Sequence, residues 1–218
     1  MLAPRLPEEH ALIVDAHVHI FPRPVREARD RFFPAEPAFE LLYRDPKSRI
    51  AGREELLRDM DRCGVDRAVV FGFPWEREEQ FQRHNDYILE ATARSPDRLT
   101  GLGCFSLASA GAAAEAERCL DGGMAGIGEL AVYGAGFDMD ALPALAEVMA
   151  LCETRGAPLL LHANEPVGHL YPGKAPMGLA GLYAFLEAYP RNRVVLAHWG
   201  GGLFFYRLLK REVRKVLQ

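Results

Sequence analysis

Apolar positions fall into two alternating kinds of run along the chain. Short, nearly continuous runs occupy residues 12–20, 67–73, 99–105, 125–131, 158–162 and 193–198, with interiors such as RAVVFGF, PLLLH and RVVLAH. Runs without polar alternation read as strands buried on both faces, which belong to parallel sheets covered by helices. Between them lie stretches with apolar residues three and four apart. Residues 54–63 carry Leu56, Leu57 and Met60, and residues 79–94 carry Phe81, Ile88 and Leu89. Residues 139–154 carry Leu142, Leu145, Val148, Met149 and Cys152, and residues 202–217 carry Phe205, Leu208, Leu209, Val213 and Val216. Residues 108–120 and 178–188 are further helices, the first stopped by Gly122 and Gly123, the second ending before Pro190. These are amphipathic stripes with ordinary stop signals. A β-α order repeated about six times predicts an α/β fold with parallel strands and right-handed crossovers.

One segment breaks the rhythm. Residues 21–53 hold Pro22, Pro24, Pro34, Pro37 and Pro46, interleaved with Phe32, Phe33, Phe39 and Tyr43. The segment follows the first strand, so it is an inserted loop on the strands' C-terminal side. Its length suits either a lid over a binding site or a plug at the mouth of a barrel.

Polar residues sit where a buried strand should not carry them. Along 12–20, Ile13, Asp15, His17 and His19 share one face by alternation. A row of Asp, His and His on a buried strand is costly unless something compensates it. Two other apolar runs end in histidine, His162 in APLLLHANE and His198 in RVVLAHWGG, and a third ends in Glu129 in AGIGELAVY. The C-terminal ends of parallel strands converge on one site. Four histidines and a glutamate gathered there form a ligand set for a divalent metal such as Zn, Mn or Fe. Asp15 lies deeper in the strand and reads as a supporting polar residue. His169, Tyr171 and Lys174, in NEPVGHLYPGKAP, fall in a loop over the same end and are candidate substrate contacts. His84 and His10 read as surface residues.

Composition narrows the class. The 218 residues suit one domain, and 49% apolar with 26% charged residues excludes disorder. No apolar run approaches the ~18 residues of a membrane helix, and the N-terminus lacks a secretory h-region. A cytoplasmic protein with no membrane partner is expected. The net charge of -4 offers no basic face for nucleic acid. Cys63, Cys104, Cys119 and Cys152 lack zinc-ribbon or redox spacing and read as reduced, half-buried thiols.

The stretches VDAHVH, GIGEL, LLLHANEPVGH and VVLAHWGGG, in that order, resemble the amidohydrolase superfamily, closest to its amidohydrolase-related (amidohydrolase 2) branch. The resemblance implies a TIM-barrel fold over one domain, 1–218. It implies that His17 and His19 hold the more buried of one or two ions, that His162 and His198 hold the second ion or the substrate, and that Glu129 touches or bridges the metals. Zinc is the expected metal, with Mn or Fe as alternatives. The family has eight strands, the last carrying an Asp that acts as ligand and base. Six strands are predicted here and no Asp follows Asp140. The last two β-α units are therefore expected to be absent from this chain, leaving edges suited to a homodimer. The activity implied is hydrolysis of an amide, lactone or ester of a small molecule by a hydroxide generated at the metal. Alternatives are a single-metal decarboxylase and an idle metal-binding remnant.

Overall fold

Every predicted apolar run becomes a strand: β1 (Val14–His19), β2 (Arg67–Phe71), β3 (Leu99–Gly103), β4 (Gly126–Leu130), β5 (Leu159–Leu161) and β6 (Val194–Leu196). The computed structural model describes residues 11–132, 139, 142–164, 174 and 179–201. The six strands pair in sequence order and every pair is parallel. Parallel neighbours need a crossover between them, and the amphipathic stretches supply it. The result is an α/β arc of barrel with all strand C-termini at one end.

Burial follows position in the sheet. Every residue of β4 and β5 is buried, and in β3 all but Thr100. The outer strands depart from the two-sided burial expected of them. Leu12, Ile13 and Val14 are exposed at β1, and Val195 at β6. Each of these strands pairs on one side only among the described residues.

The crossover helices are α3 (Arg53–Cys63), α4 (Glu78–Ala93), α5 (Ala112–Asp121), α6 (Leu145–Arg155) and α7 (Leu179–Ala188). Helix α5 starts later than the alanine-rich run suggests, because Ser106 and Ser109 close consecutive turns ahead of it. Helix α6 starts after Pro143, which disfavours helical geometry in the residue before it. The predicted helix over 202–217 lies outside the described residues, as does His10. Among the described residues no helix is long and apolar enough to cross a membrane.

Residues 21–53 are folded rather than looped. They form two short helices, α1 (Arg23–Glu27) and α2 (Pro37–Tyr43), with two single 3-10 turns between. Pro24, Pro34 and Pro37 occupy first-turn positions of these elements. There a missing N–H costs nothing, because that donor has no partner in a helix anyway. Phe39 is fully buried and anchors the segment; its ring lies 4.6 Å from Trp75, 4.8 Å from Tyr43 and 5.3 Å from Phe73. Buried Glu36 accepts the backbone N–H groups of Glu76 and Arg77 at 2.9 and 3.0 Å, tying the segment to the start of α4.

Candidate metal centre

The ends of four strands meet at one carboxylate. Glu129 is 3% exposed. Its Oε2 lies 3.4 Å from His17 Nε2 and 3.2 Å from His19 Nε2. Its Oε1 lies 2.9 Å from His162 Nδ1 and 3.2 Å from His198 Nε2. The carboxylate thus divides the histidines into two pairs, one per oxygen. Ring centroids of 5.4 Å for His17–His19, 5.1 Å for His17–His198 and 4.7 Å for His162–His198 close the cluster.

Local backbone explains how each group arrives. Alternation in β1 puts His17 and His19 on one face, and both rings pack edge-on against Phe71. Gly128 precedes Glu129 at φ +135, where a Cβ would stand 2.4 Å from the Leu160 carbonyl oxygen. No other residue fits that conformation and that contact. The β4–β5 ladder changes register between Ile127 and Leu130. Irregularity of this kind re-aims a side chain out of the regular ladder. His162 follows β5, its N–H bonded to the Leu130 carbonyl at 2.8 Å. His198 opens a left-handed turn, with φ +53 there and +56 at Trp199, which is left 91% exposed.

Other residues meet the site without having been singled out by sequence. The Cys104 thiol donates to the Glu129 carbonyl at 3.0 Å. Burial pushes that thiol well above the ordinary range, and the Glu129 charge adds to the effect. The Asn85 side chain grips Cys104 through both backbone groups, accepting from its N–H at 2.9 Å and donating to its carbonyl at 3.1 Å. Burial also raises the Tyr43 phenol, again with a contribution from Glu129, which places α2 within electrostatic reach of the cluster. Asp15 is exposed and accepts the His17 backbone N–H at 3.2 Å, outside the cluster. Lys174 is half-buried, while His169 and Tyr171 lie outside the described residues.

The surface reading of His84 is wrong. It is 2% exposed, with Nδ1 accepting from Trp75 Nε1 at 2.8 Å and Nε2 facing the Ile20 carbonyl at 2.7 Å. It sits three residues after Phe81 and four before Ile88, inside the apolar stripe of α4. The thiols differ too: Cys104, Cys119 and Cys152 are buried outright and Cys63 is exposed.

The cluster suits a cation. His19 Nδ1 stands 2.7 Å from the Gly72 carbonyl, so it must carry the proton. A neutral His19 then turns a bare Nε2 lone pair toward Glu129 Oε2, 3.2 Å away. Two lone pairs at that distance repel unless positive charge lies between them. Burial alone would raise the Glu129 carboxyl, yet the surrounding histidines, His162 foremost through its hydrogen bond, draw it far below the usual carboxylate range. Two triads satisfy metal-ligand spacing, His17–His19–Glu129 and Glu129–His162–His198. A cleft of about 500 Å³ lined by Met60, Asp66, Arg67 and Arg98, at the strands' N-terminal end, contains none of these groups.

Solved structures share the architecture. The 5-carboxyvanillate decarboxylase of Sphingomonas paucimobilis is 20% identical with a TM-score of 0.67, over 94% of this chain and 72% of that one. The enzyme of the same name from Novosphingobium aromaticivorans, holding manganese and 4-hydroxy-3-methoxy-5-nitrobenzoic acid, is 19% identical with a TM-score of 0.68, over 92% and 69%. A probable 2-pyrone-4,6-dicarboxylic acid hydrolase of Acinetobacter baumannii is 16% identical with a TM-score of 0.54, over 87% and 59%. At these identities the likeness shows the fold, of the TIM-barrel type. No curated protein matches the chain. Residues 14–212 match the amidohydrolase family, and with all four motif stretches inside that span the chain belongs to it.

Proposed function

We propose that the protein is a metal-dependent hydrolase of an amide, lactone or ester in a small molecule, with Glu129 shared between two divalent ions. The observation that carries this reading is the division of the four histidines between the two oxygens of Glu129. A bridging carboxylate with two imidazoles at each end suits two ions, zinc being the expected metal for such a nitrogen-rich set. When bound, the ions polarise a substrate oxygen and make water acidic enough to serve as nucleophile near neutral pH. The chain's own groups divide the remaining tasks. Glu129 stays ionised and holds the pairs together. His19, its tautomer set by Gly72, presents Nε2 inward. His198, with its side chain 45% exposed, stands nearest the solvent from which substrate enters. His169, Tyr171 and Lys174 contact substrate, and residues 21–53 wall the entrance.

A second reading, a single-metal decarboxylase, is favoured by the fold's likeness to 5-carboxyvanillate decarboxylases, one of them holding manganese. Metal counting separates the two. Two ions per chain by elemental analysis, with turnover of lactone or amide substrates, is the expected result. One ion per chain with release of carbon dioxide from hydroxybenzoates overturns it. The reading includes a cytoplasmic location, supported by four cysteines of which none is paired in a disulfide, and a homodimer, supported by the apolar flanks of β1 and β6.

A further inference from the structure

His84 touches the backbone on both sides of His19. Its Nδ1 accepts from Trp75 Nε1 at 2.8 Å, so the proton must reside on Nε2, which donates to the Ile20 carbonyl at 2.7 Å. Ile20 is the residue after His19. On its other side the ring presses against Gly72, so closely that a Cβ there would lie 2.9 Å from His84 Cγ. Gly72 supplies the carbonyl that receives His19 Nδ1 at 2.7 Å. One buried imidazole therefore braces both the strand that carries His19 and the carbonyl that fixes its tautomer. Ile20 N–H bonds to Phe71 at 3.2 Å and closes the frame.

We infer that His84, locked by Trp75, is a positioning residue for His19. It sets the direction of His19 Nε2 toward Glu129 and thereby the affinity of the His17–His19–Glu129 triad for a divalent ion. The inference rests on the reading of that triad as a metal site. Trp75 decides which His84 nitrogen is the donor. Without its N–H, the His84 ring is free to place its proton on Nδ1 and turn a lone pair toward the Ile20 carbonyl, which pushes the end of β1 away. Gly72 has no Cβ for a steric reason: any side chain would displace the His84 ring that braces it. Contacts that orient a ligand histidine in this way typically carry about 10–100-fold in metal affinity.

The test is calorimetric titration of the full chain with Mn²⁺ alone, well below the unfolding temperature. His84→Phe keeps an aromatic ring at the position and removes both hydrogen bonds. It should weaken the tighter Mn²⁺ binding about tenfold or more, and Trp75→Phe should do so in the same direction. Phe81→Leu, one turn away on α4 and fully buried, should lower the melting temperature without changing affinity. In a His19→Asn background, His84→Phe should have no further effect on affinity. If the unsubstituted protein takes up no Mn²⁺, the metal-site reading fails. If it does, and folded His84→Phe and Trp75→Phe both bind as tightly, the positioning role is refuted. Should His84→Phe not fold, Trp75→Phe carries the same comparison.

Discussion

Glu129 illustrates how much chemistry one residue's surroundings decide. A buried carboxylate ordinarily resists ionisation, yet four imidazoles reverse that tendency. Because each carboxylate oxygen serves a different histidine pair, substitutions should have unequal effects on metal count. Glu129→Gln, which keeps the shape and halves the oxygen donors, is expected to remove all bound metal. His162→Asn and His198→Asn are each expected to reduce two ions to one. Elemental analysis of the purified variants checks this, and an unchanged count in Glu129→Gln would break the bridging role. The strand-end histidines were legible in the sequence because they are polar groups stranded at the ends of apolar runs. His84 was legible too, in principle, from its spacing to Phe81 and Ile88, but its polarity suggested a surface position. What hid it was its partners: Trp75 and the Ile20 carbonyl come from outside α4, and helical spacing does not name them.

His84 also predicts a pH dependence. Burial, the largest cause, pushes its imidazole down to about 4; the bond to Ile20 opposes this and the proximity of His19 adds to it. The unfolded chain takes up a proton near pH 6.5, the folded chain only near pH 4. Stability from keeping His84 neutral is therefore fully present above pH 6.5 and is lost as pH falls toward 4, by roughly 3 kcal/mol over that interval. Carboxylates titrate in the same window, so the informative quantity is the difference between the unsubstituted protein and His84→Phe. That difference should shrink as pH drops from 7 to 4 in urea denaturation, and a constant difference would contradict it.

At the scale of elements, residues 21–53 show a limit of reading proline and aromatics as loop. The prolines start helices and the aromatics make a satellite core around Phe39 and Trp75. Which face each aromatic presents depends on partners from the β2–α4 connection, beyond the reach of a local pattern. The consequence for experiment is that this wall cannot be cut at will. Phe39→Ala should cost about 3–5 kcal/mol, as large buried aromatics do. Glu36→Ala strips the two backbone N–H groups just ahead of α4, those of Glu76 and Arg77, of their acceptor and should cost about 1–2 kcal/mol, the range of lost helix caps. Shortening between Arg44 and Ile50, outside the buried aromatic cluster, spares both. If the segment walls the substrate entrance, that deletion should raise KM while leaving metal content unchanged; unaltered KM in a folded deletion would show that the segment only plugs the sheet.

For the whole molecule, the exposed apolar side chains are unevenly placed. Of the large ones, Leu12, Ile13 and Val14 flank β1, and Val195 and Trp199 flank β6, leaving Leu41 as the exception among the described residues. The interior strands β2 to β5 contribute none. The alternation of apolar and amphipathic runs announced the sheet and its order, but could not say which strands lie at its margins, since an edge strand and a central one are written in the same residues. Water-facing edges with apolar flanks attract other strands, and proteins commonly blunt them with lysine. Neither β1 nor β6 carries one. A polypeptide of these 218 residues should therefore associate, running above 24.3 kDa in light scattering. Ile13→Lys and Val195→Lys together should shift it toward the monomer mass without altering the metal centre, because neither residue belongs to the cluster. A monodisperse monomer in the unsubstituted protein would show that the two margins are satisfied within one chain.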